Sequence, residues 1–296
     1  MTTRIALIGF GEVGQILAED LSVGAVWLSA FDLKFADPES GPSTAARTGG
    51  IWPAPSAPEA IAGCDVVISA VTAAQTIAAA KSMTGGLARN AVFLDLNSAS
   101  PAVKRQAAEA IHRTGGRYVE AAVMSPVPPK RIATPMLLGG PHAESFLREA
   151  KQLGFAGAEF FSAEIGKASA AKMCRSVVVK GIEALLSESL LTARSYGVEG
   201  AVLASLNDLF PGPDWTKLAR YMISRTLEHG TRRAEEMYEV ARTVADAGVE
   251  PHMSSATAER QAWAPQFASA LSQQDLDDML DTIRELMDTK SKGAAA

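Results

Sequence analysis

Short, continuous apolar runs alternate with helical stretches over the first 160 or so residues of the chain. The runs are "RIALIGF" (4–10), "GAVWLSAFD" (24–32), "CDVVISAVT" (64–72), "AVFLDLNS" (91–98), "GRYVEAAVMS" (116–125) and "MLLGG" (136–140). Residues 73–83 and 101–114 read as helices between them, and Pro101 suits the first turn of the second. Runs that are apolar throughout belong to strands buried on both faces, which is the mark of a parallel sheet covered by helices. The segment "DPESGPSTAARTGGIWPAPSAPEAI" (37–61) breaks the rhythm; its Pro, Gly, Ser and Ala predict a loop with at most short structure.

From about residue 164 the strand signals stop. Helices are predicted over 164–196, 214–247, a stretch after Pro251, and 273–287, with Gly248 and Pro251 as stop signals. The tail "DTKSKGAAA" has no apolar pattern and is expected to be disordered. The pattern therefore predicts an α/β domain at 1–163 followed by an all-α domain at 164–296.

Composition narrows the function classes. A hydrophobic share of 47% and a charged share of 21% over 296 residues describe a globular protein with room for two domains. The formal net charge of −5 argues against a general nucleic-acid binder or a polybasic membrane attachment. Cys64 and Cys174 both stand among apolar neighbours and form no CxxC pair, so neither a disulfide framework nor a thiolate metal site is expected. His112, His142, His229 and His252 lack metal-ligand spacing. No apolar run is long enough to span a bilayer, and "MTTRIALIG" leaves no room for a signal peptide; a cytoplasmic protein is expected.

The first chemical motif is "GFGEVG". It places Gly9, Gly11 and Gly14 in a G-x-G-x-x-G spacing directly after a strand and at the opening of a helix. In that context Gly9 allows a tight turn, Gly11 lets the backbone approach a pyrophosphate, and Gly14 lets helix and strand pack closely. The helix N-terminus offers N–H groups to the phosphates, which brings Phe10, Glu12 and Val13 into the site. The first domain is thus predicted to be a Rossmann domain. Asp32, ending the next strand, is placed to hold ribose hydroxyls and to repel a 2′-phosphate, favouring NAD; Lys34 close by keeps NADP open. Val71, Thr72 and Asn97, at the ends of later strands, are further candidate cofactor contacts, and Ser98 beside them is a candidate substrate contact.

The second is "EIGKASAAKMCRSVVVKGIEALL" (164–186). Lys172 stands in its apolar first half, with Arg175 one turn on. Oxidising an alcohol by hydride transfer needs a group that takes the hydroxyl proton, and a lysine suits this when burial or a neighbouring cation lowers its pKa. Gly181, costly in mid-helix, is expected to mark close helix packing. Arg232 and Arg233 are expected on a solvated face or an interface, and Lys180 facing either solvent or the site.

These motifs resemble the β-hydroxyacid dehydrogenase family, which includes 3-hydroxyisobutyrate and 6-phosphogluconate dehydrogenases. "IALIGFGEVG" is similar to the family's opening. "DLNSASP" (95–101) resembles its D-x-S-x-x-x-P segment near the nicotinamide, and "EAAVMSPVPP" (120–129) stands where it usually has D-A-P-V-S-G-G. "IGKASAAKMCRS" (165–176) resembles its G-x-G-x-x-x-K-x-x-N-N, which sets the catalytic lysine on Lys172. The resemblance implies substrate contacts at Ser98, Met124, Ser125, Arg175 and Ser176, a small, acidic substrate, and a homodimer. Departures are also visible. Pro126 has no N–H to give a substrate carboxylate, and Arg175 replaces the usual asparagine; a guanidinium there suits an anion. The family's later K-D pair is not recognisable. With "HGTRRAEEM" (229–237), the pattern is similar to a branch with its own type of C-terminal domain.

The expectation is an NAD(P)-dependent oxidoreductase acting on a small 3-hydroxy acid or related hydroxy compound, with no metal. Imine reduction is the enzymatic alternative, against which Lys172 argues. A cofactor-binding regulatory protein without turnover is the alternative from another class.

Overall fold

A computed structural model describes residues 2–24 and 26–294 of the chain. The protein divides into two compact units, Met1–Met173 and Cys174–Ala296.

The first unit is built on an eight-stranded sheet. Its strands are β1 (Thr3–Ile8), β2 (Val26–Phe31), β3 (Trp52–Pro53), β4 (Val66–Ser69), β5 (Val92–Asp95), β6 (Arg117–Val123), β7 (Met136–Gly139) and β8 (Ala158–Ser162), in the order β3-β2-β1-β4-β5-β6-β7-β8. Pairing is parallel throughout except between β6 and β7, which are antiparallel. An antiparallel pair needs no long crossover helix, and the connection from β6 to β7, residues 124–135, holds only a single helical turn at Val127–Lys130 and a 3-10 turn at Arg131–Ala133. Neighbouring residues of a strand face opposite cores, as period-2 geometry requires. Ile5 and Leu7 enter one apolar cluster with Val66, Ile68, Val92 and Leu94. Ala6 and Ile8 enter the other with Val67 and Phe93. Burial on both faces explains why these strands read as unbroken apolar runs.

The helices of this unit are α1 (Glu12–Ser22), α2 (Gly41–Thr48), α3 (Ala57–Ile61), α4 (Thr76–Lys81), α5 (Pro101–Arg113), α6 (Val127–Lys130) and α7 (Ala143–Gln152). The 37–61 segment thus contains two short helices and the two-residue edge strand β3. Ser40 and Ser56 accept N–H bonds at the starts of α2 and α3, each with a proline in the first turn.

Helix α8 (Lys167–Tyr196) begins in the first unit and continues into the second. The second unit continues with α9 (Glu199–Leu209), α10 (Trp215–Asp246), α11 (His252–Trp263) and α12 (Leu276–Ala294), around a core of Leu190, Ile223, Leu227, Phe267, Met279 and Leu280. Gly230 lets α10 approach α11: a Cβ built there would lie 2.3 Å from the Gln261 carbonyl oxygen.

Several expectations are corrected. The tail is helical through Ala294, as part of α12, while 295 and 296 lie outside the described residues. Once a helix is nucleated, each further residue adds a hydrogen bond without needing an apolar face. Cys64 is buried, but Cys174 is exposed, because the turn of α8 points it away from its apolar neighbours. A Cβ at Gly181 would meet nothing within 4 Å among the described residues, so the close packing expected there is not made within this chain. Arg233 does not lie on a solvated face: its side chain, 12% exposed, is paired with the buried Glu183, which also accepts from Gln261 at 2.9 Å. Lys180 is buried and pairs with Glu236 at 2.6 Å, and Arg232 reaches Glu236 from outside.

Candidate active site

Strand order reverses around β1, and the crevice at the carboxyl ends of β1 and β4 is where open α/β sheets bind ligands. The chain places its glycines there. Gly9 has φ +92°, and a Cβ on it would lie 2.5 Å from the Ala70 carbonyl oxygen at the end of β4. A Cβ on Gly14 would lie 2.3 Å from the Gly9 carbonyl oxygen. Gly11 differs: it is exposed, with open space around its Cβ position, at a helix start that has no side-chain cap. First-turn N–H groups have no intrahelical partner and attract anions. Two glycines that close the turn, and a third that leaves room at an uncapped helix end, fit the pyrophosphate of a dinucleotide.

Asp32 holds this loop. Its carboxylate accepts from the Phe10 N–H at 2.7 Å and from the Lys34 N–H at 2.9 Å. Each oxygen takes one bond, which leaves lone pairs for hydroxyl donors. Glu12 is exposed and Val13 half-buried on the first turn of α1.

At the end of β5 the "DLNS" turn is pinned from below by buried charge. Asp95 is fully buried and pairs with Lys104 of α5 at 2.8 Å, where Lys104 is 1% exposed. The other Asp95 oxygen accepts from the Tyr118 hydroxyl at 2.6 Å, and the first also accepts from the Asn97 N–H at 2.9 Å. Burial, and next the Asp95 charge, hold the Tyr118 hydroxyl well above its ordinary pKa, so it remains a donor. Asn97 then ties two strands together. Its side chain accepts from the Val71 N–H at 2.7 Å and donates to the Ser69 hydroxyl at 3.0 Å. The amide expected to face the cofactor is engaged in fixing Val71 and, after it, the exposed Thr72.

The turn delivers Ser98 to Lys172. Lys172 Nζ donates to Ser98 Oγ at 2.6 Å, across 74 residues of sequence. This bond joins the candidate acid–base group to a candidate substrate contact, as the Phe10–Asp32 and Val71–Asn97 bonds join candidate cofactor contacts. Ser125 Oγ lies 3.2 Å from Thr134 Oγ1, and Thr134 also donates to the Pro126 carbonyl, closing the neck of the β6–β7 loop. The Met124 N–H donates to the Pro135 carbonyl at 2.9 Å. Arg175 is exposed and Ser176 buried on α8, past the boundary of the first unit.

Glu120 was not singled out from sequence. It is fully buried on β6, and its carboxylate accepts from the Gly166 and Ala168 N–H groups, each at 2.9 Å, at the start of α8. Burial pushes this carboxyl above its ordinary pKa, opposed by Lys104 and by the backbone N–H groups of α8. The signal for it in the sequence is a charged residue inside the otherwise apolar run 118–123. Asp95 gives the same signal one strand earlier.

Among the described residues, no helix is long and apolar enough to cross a membrane, and no group of three or more His, Cys, Asp or Glu is placed to hold a metal ion.

A dinucleotide-type glycine turn at the switch point of a mostly parallel sheet defines the class of NAD(P)-binding Rossmann proteins. Comparison with known proteins agrees. The family model of the NAD binding domain of 6-phosphogluconate dehydrogenase matches residues 4–163, and a domain of unknown function, DUF1932, matches residues 193–264. The chain belongs to this 6-phosphogluconate dehydrogenase-type NAD-binding family. A conserved hypothetical protein from Sinorhizobium meliloti 1021 is 40% identical, with a TM-score of 0.74 over 95% of this chain and 96% of that one. The probable 3-hydroxyisobutyrate dehydrogenase of Mycobacterium bovis is 28% identical over 214 residues, covering 71% of this chain and 69% of that one. An imine reductase from Streptomyces aurantiacus shares the fold, at 17% identity and a TM-score of 0.56 over 95% of this chain and 99% of that one.

Proposed function

We propose that the protein is an NAD(P)-dependent dehydrogenase that oxidises a small 3-hydroxy acid, or reduces the corresponding carbonyl, with Lys172 as the general acid–base group. The observation that carries this reading is the Lys172–Ser98 bond of 2.6 Å at the carboxyl end of the sheet that carries the glycine turn. When bound, the nicotinamide cofactor accepts or supplies the hydride. The chain's own residues handle the rest. Gly11 and the first turn of α1 receive the pyrophosphate, and Asp32 the ribose hydroxyls. Lys172 takes the proton from the substrate hydroxyl during oxidation and returns it during reduction. Ser98, held to Lys172, orients that exchange. Met124, Ser125, Arg175 and Ser176 complete the proposed substrate contacts, with Arg175 offering a cation to the carboxylate that Pro126 cannot hold through an N–H.

Steady-state assays test this directly: a panel of 3-hydroxy acids with NAD or NADP, and a panel of cyclic imines with NADPH. Turnover of hydroxy acids supports the reading. Turnover of imines alone moves the protein to C=N reduction, and cofactor binding without any turnover makes it a binding protein.

NAD is the proposed cofactor because the Asp32 carboxylate is fixed at the ribose end and disfavours a 2′-phosphate. Replacing Asp32 with serine is expected to shift the ratio of kcat/KM for NAD over NADP by about tenfold or more towards NADP. It is also expected to weaken binding of both, because the Phe10 N–H loses a charged acceptor. An unchanged ratio in the same assay removes Asp32 from cofactor choice.

A further inference from the structure

Glu120 lies on β6, away from the glycine turn, yet its surroundings are built for a carboxylate. It is opposite Gly139 in the antiparallel β6–β7 register. A Cβ at Gly139 would lie 2.4 Å from Glu120 Oε1, so only glycine leaves the carboxylate its place. On the other side it receives the first turn of α8: Gly166 N–H to one oxygen and Ala168 N–H to the other, both at 2.9 Å, with the Ser169 hydroxyl at 3.5 Å. Gly166 has φ +100°, and a Cβ on it would press on Arg105 Nη1 at 3.0 Å and on Pro101 Cβ at 3.2 Å. The start of α8 is therefore wedged between a buried carboxylate and the first turn of α5. Ser98 stands three residues before Pro101. Lys172 stands four residues after Ala168, one turn on and on the same side of the helix.

We infer that Glu120 is a positioning residue for Lys172: by clamping two N–H groups of the first turn of α8 it fixes where the Lys172 amine meets Ser98. A negative group is favoured at a helix N-terminus. This one comes from a central strand, so the helix is referenced to the sheet and not to a loop. The turn from Ala168 to Lys172 is a single rigid helical turn, and any shift of the first reaches the second undiminished. Misplacing an acid–base group by about 1 Å costs on the order of a hundredfold in rate.

The inference rests on the proposed role of Lys172 for its effect on rate, but not for its effect on geometry, and the test separates the two. In the full-length protein, Gly166 and Ala168 amides are expected to exchange hydrogen as slowly as those of the β6 core. Free helix-end rates would overturn the inference without any variant. Glu120→Gln keeps the size of the side chain but turns an NH2 towards an N–H donor. Gly139→Ala pushes the carboxylate from the opposite side without changing a charge. Both are expected to move the NMR titration of the isotope-labelled Lys172 side chain in the substrate-free protein. Both are also expected to lower kcat with 3-hydroxyisobutyrate and NAD by about ten- to a hundredfold, with KM for NAD unchanged. Failure of the wild type to oxidise any hydroxy acid would sink the proposed function alone, because the Lys172 titration still reports the clamp. Folded variants with wild-type titration and wild-type kcat would overturn the inference.

Discussion

Lys172→Ala is expected to lower kcat for oxidation of a 3-hydroxy acid by about 10²–10⁴-fold, the range a positioned acid–base group supplies. Dinucleotide affinity is expected to change by no more than about twofold. The separation follows from the geometry. Lys172 bonds to Ser98 at the end of β5, whereas the glycine turn is held by Asp32 through the Phe10 N–H. Removing the amine leaves the turn, the α1 N-terminus and Asp32 in place. It also leaves Ser98 without its 2.6 Å donor and removes the proposed proton acceptor for the substrate hydroxyl. Rapid-mixing and steady-state kinetics on one preparation, with cofactor binding measured by fluorescence, check both halves. Equal loss of binding and turnover would mean that the variant had damaged the fold and not the chemistry.

The largest effect on stability is expected from Lys104→Met. Lys104 and Asp95 are 1% and 0% exposed and lie 2.8 Å apart. Removing one partner of such a pair leaves a buried charge uncompensated, which costs about 3–5 kcal/mol. Tyr118 and the Asn97 N–H still donate to Asp95, which keeps the loss within that range and not above it. Urea unfolding read by two probes measures it. The double variant Lys104→Met/Asp95→Asn is expected to recover part of the loss, because neither position of the pair then carries an uncompensated charge; the recovery stays partial because buried Glu120 loses the nearby Lys104 cation in both variants. The single variant should also lose activity: Asp95 anchors the Asn97 N–H, and Asn97 in turn fixes Val71 beside the cofactor turn. A loss below about 1 kcal/mol would mean that water reaches the pair.

Much of the architecture was legible because its signals are periodic or local. The apolar runs of β1, β2, β4, β5, β6 and β7, the glycine spacing, and the helical second half all belong to that class. What escaped is tertiary. β8 reads "AEFFS", with Phe160 and Phe161 exposed at a sheet edge, so it lacks the apolar continuity of its neighbours. The antiparallel turn of β7 is set by a loop and not by strand composition. In the site, Lys172 and Ser98 were both singled out, but their bond spans 74 residues and no spacing announces it. The bonds by which the Asn97 amide ties β4 to β5 are equally invisible to a local window. Glu120, Asp95 and Lys104 were hidden because buried charges pay for their burial with partners from other elements, and a partner cannot be read from a local window. The same holds for Lys180 with Glu236 and Arg233 with Glu183 in the second unit.

The proposed reaction moves a hydride between a hydroxy acid and a nicotinamide. Oxidation of 3-hydroxyisobutyrate deuterated at its carbinol carbon, with the reduced cofactor analysed by mass spectrometry, tests it most directly. One deuterium is expected on the nicotinamide ring of the reduced cofactor, with turnover that Lys172→Ala abolishes almost completely. Deuterium released to water, or tight NAD binding with no reduced cofactor from any hydroxy acid, would contradict it.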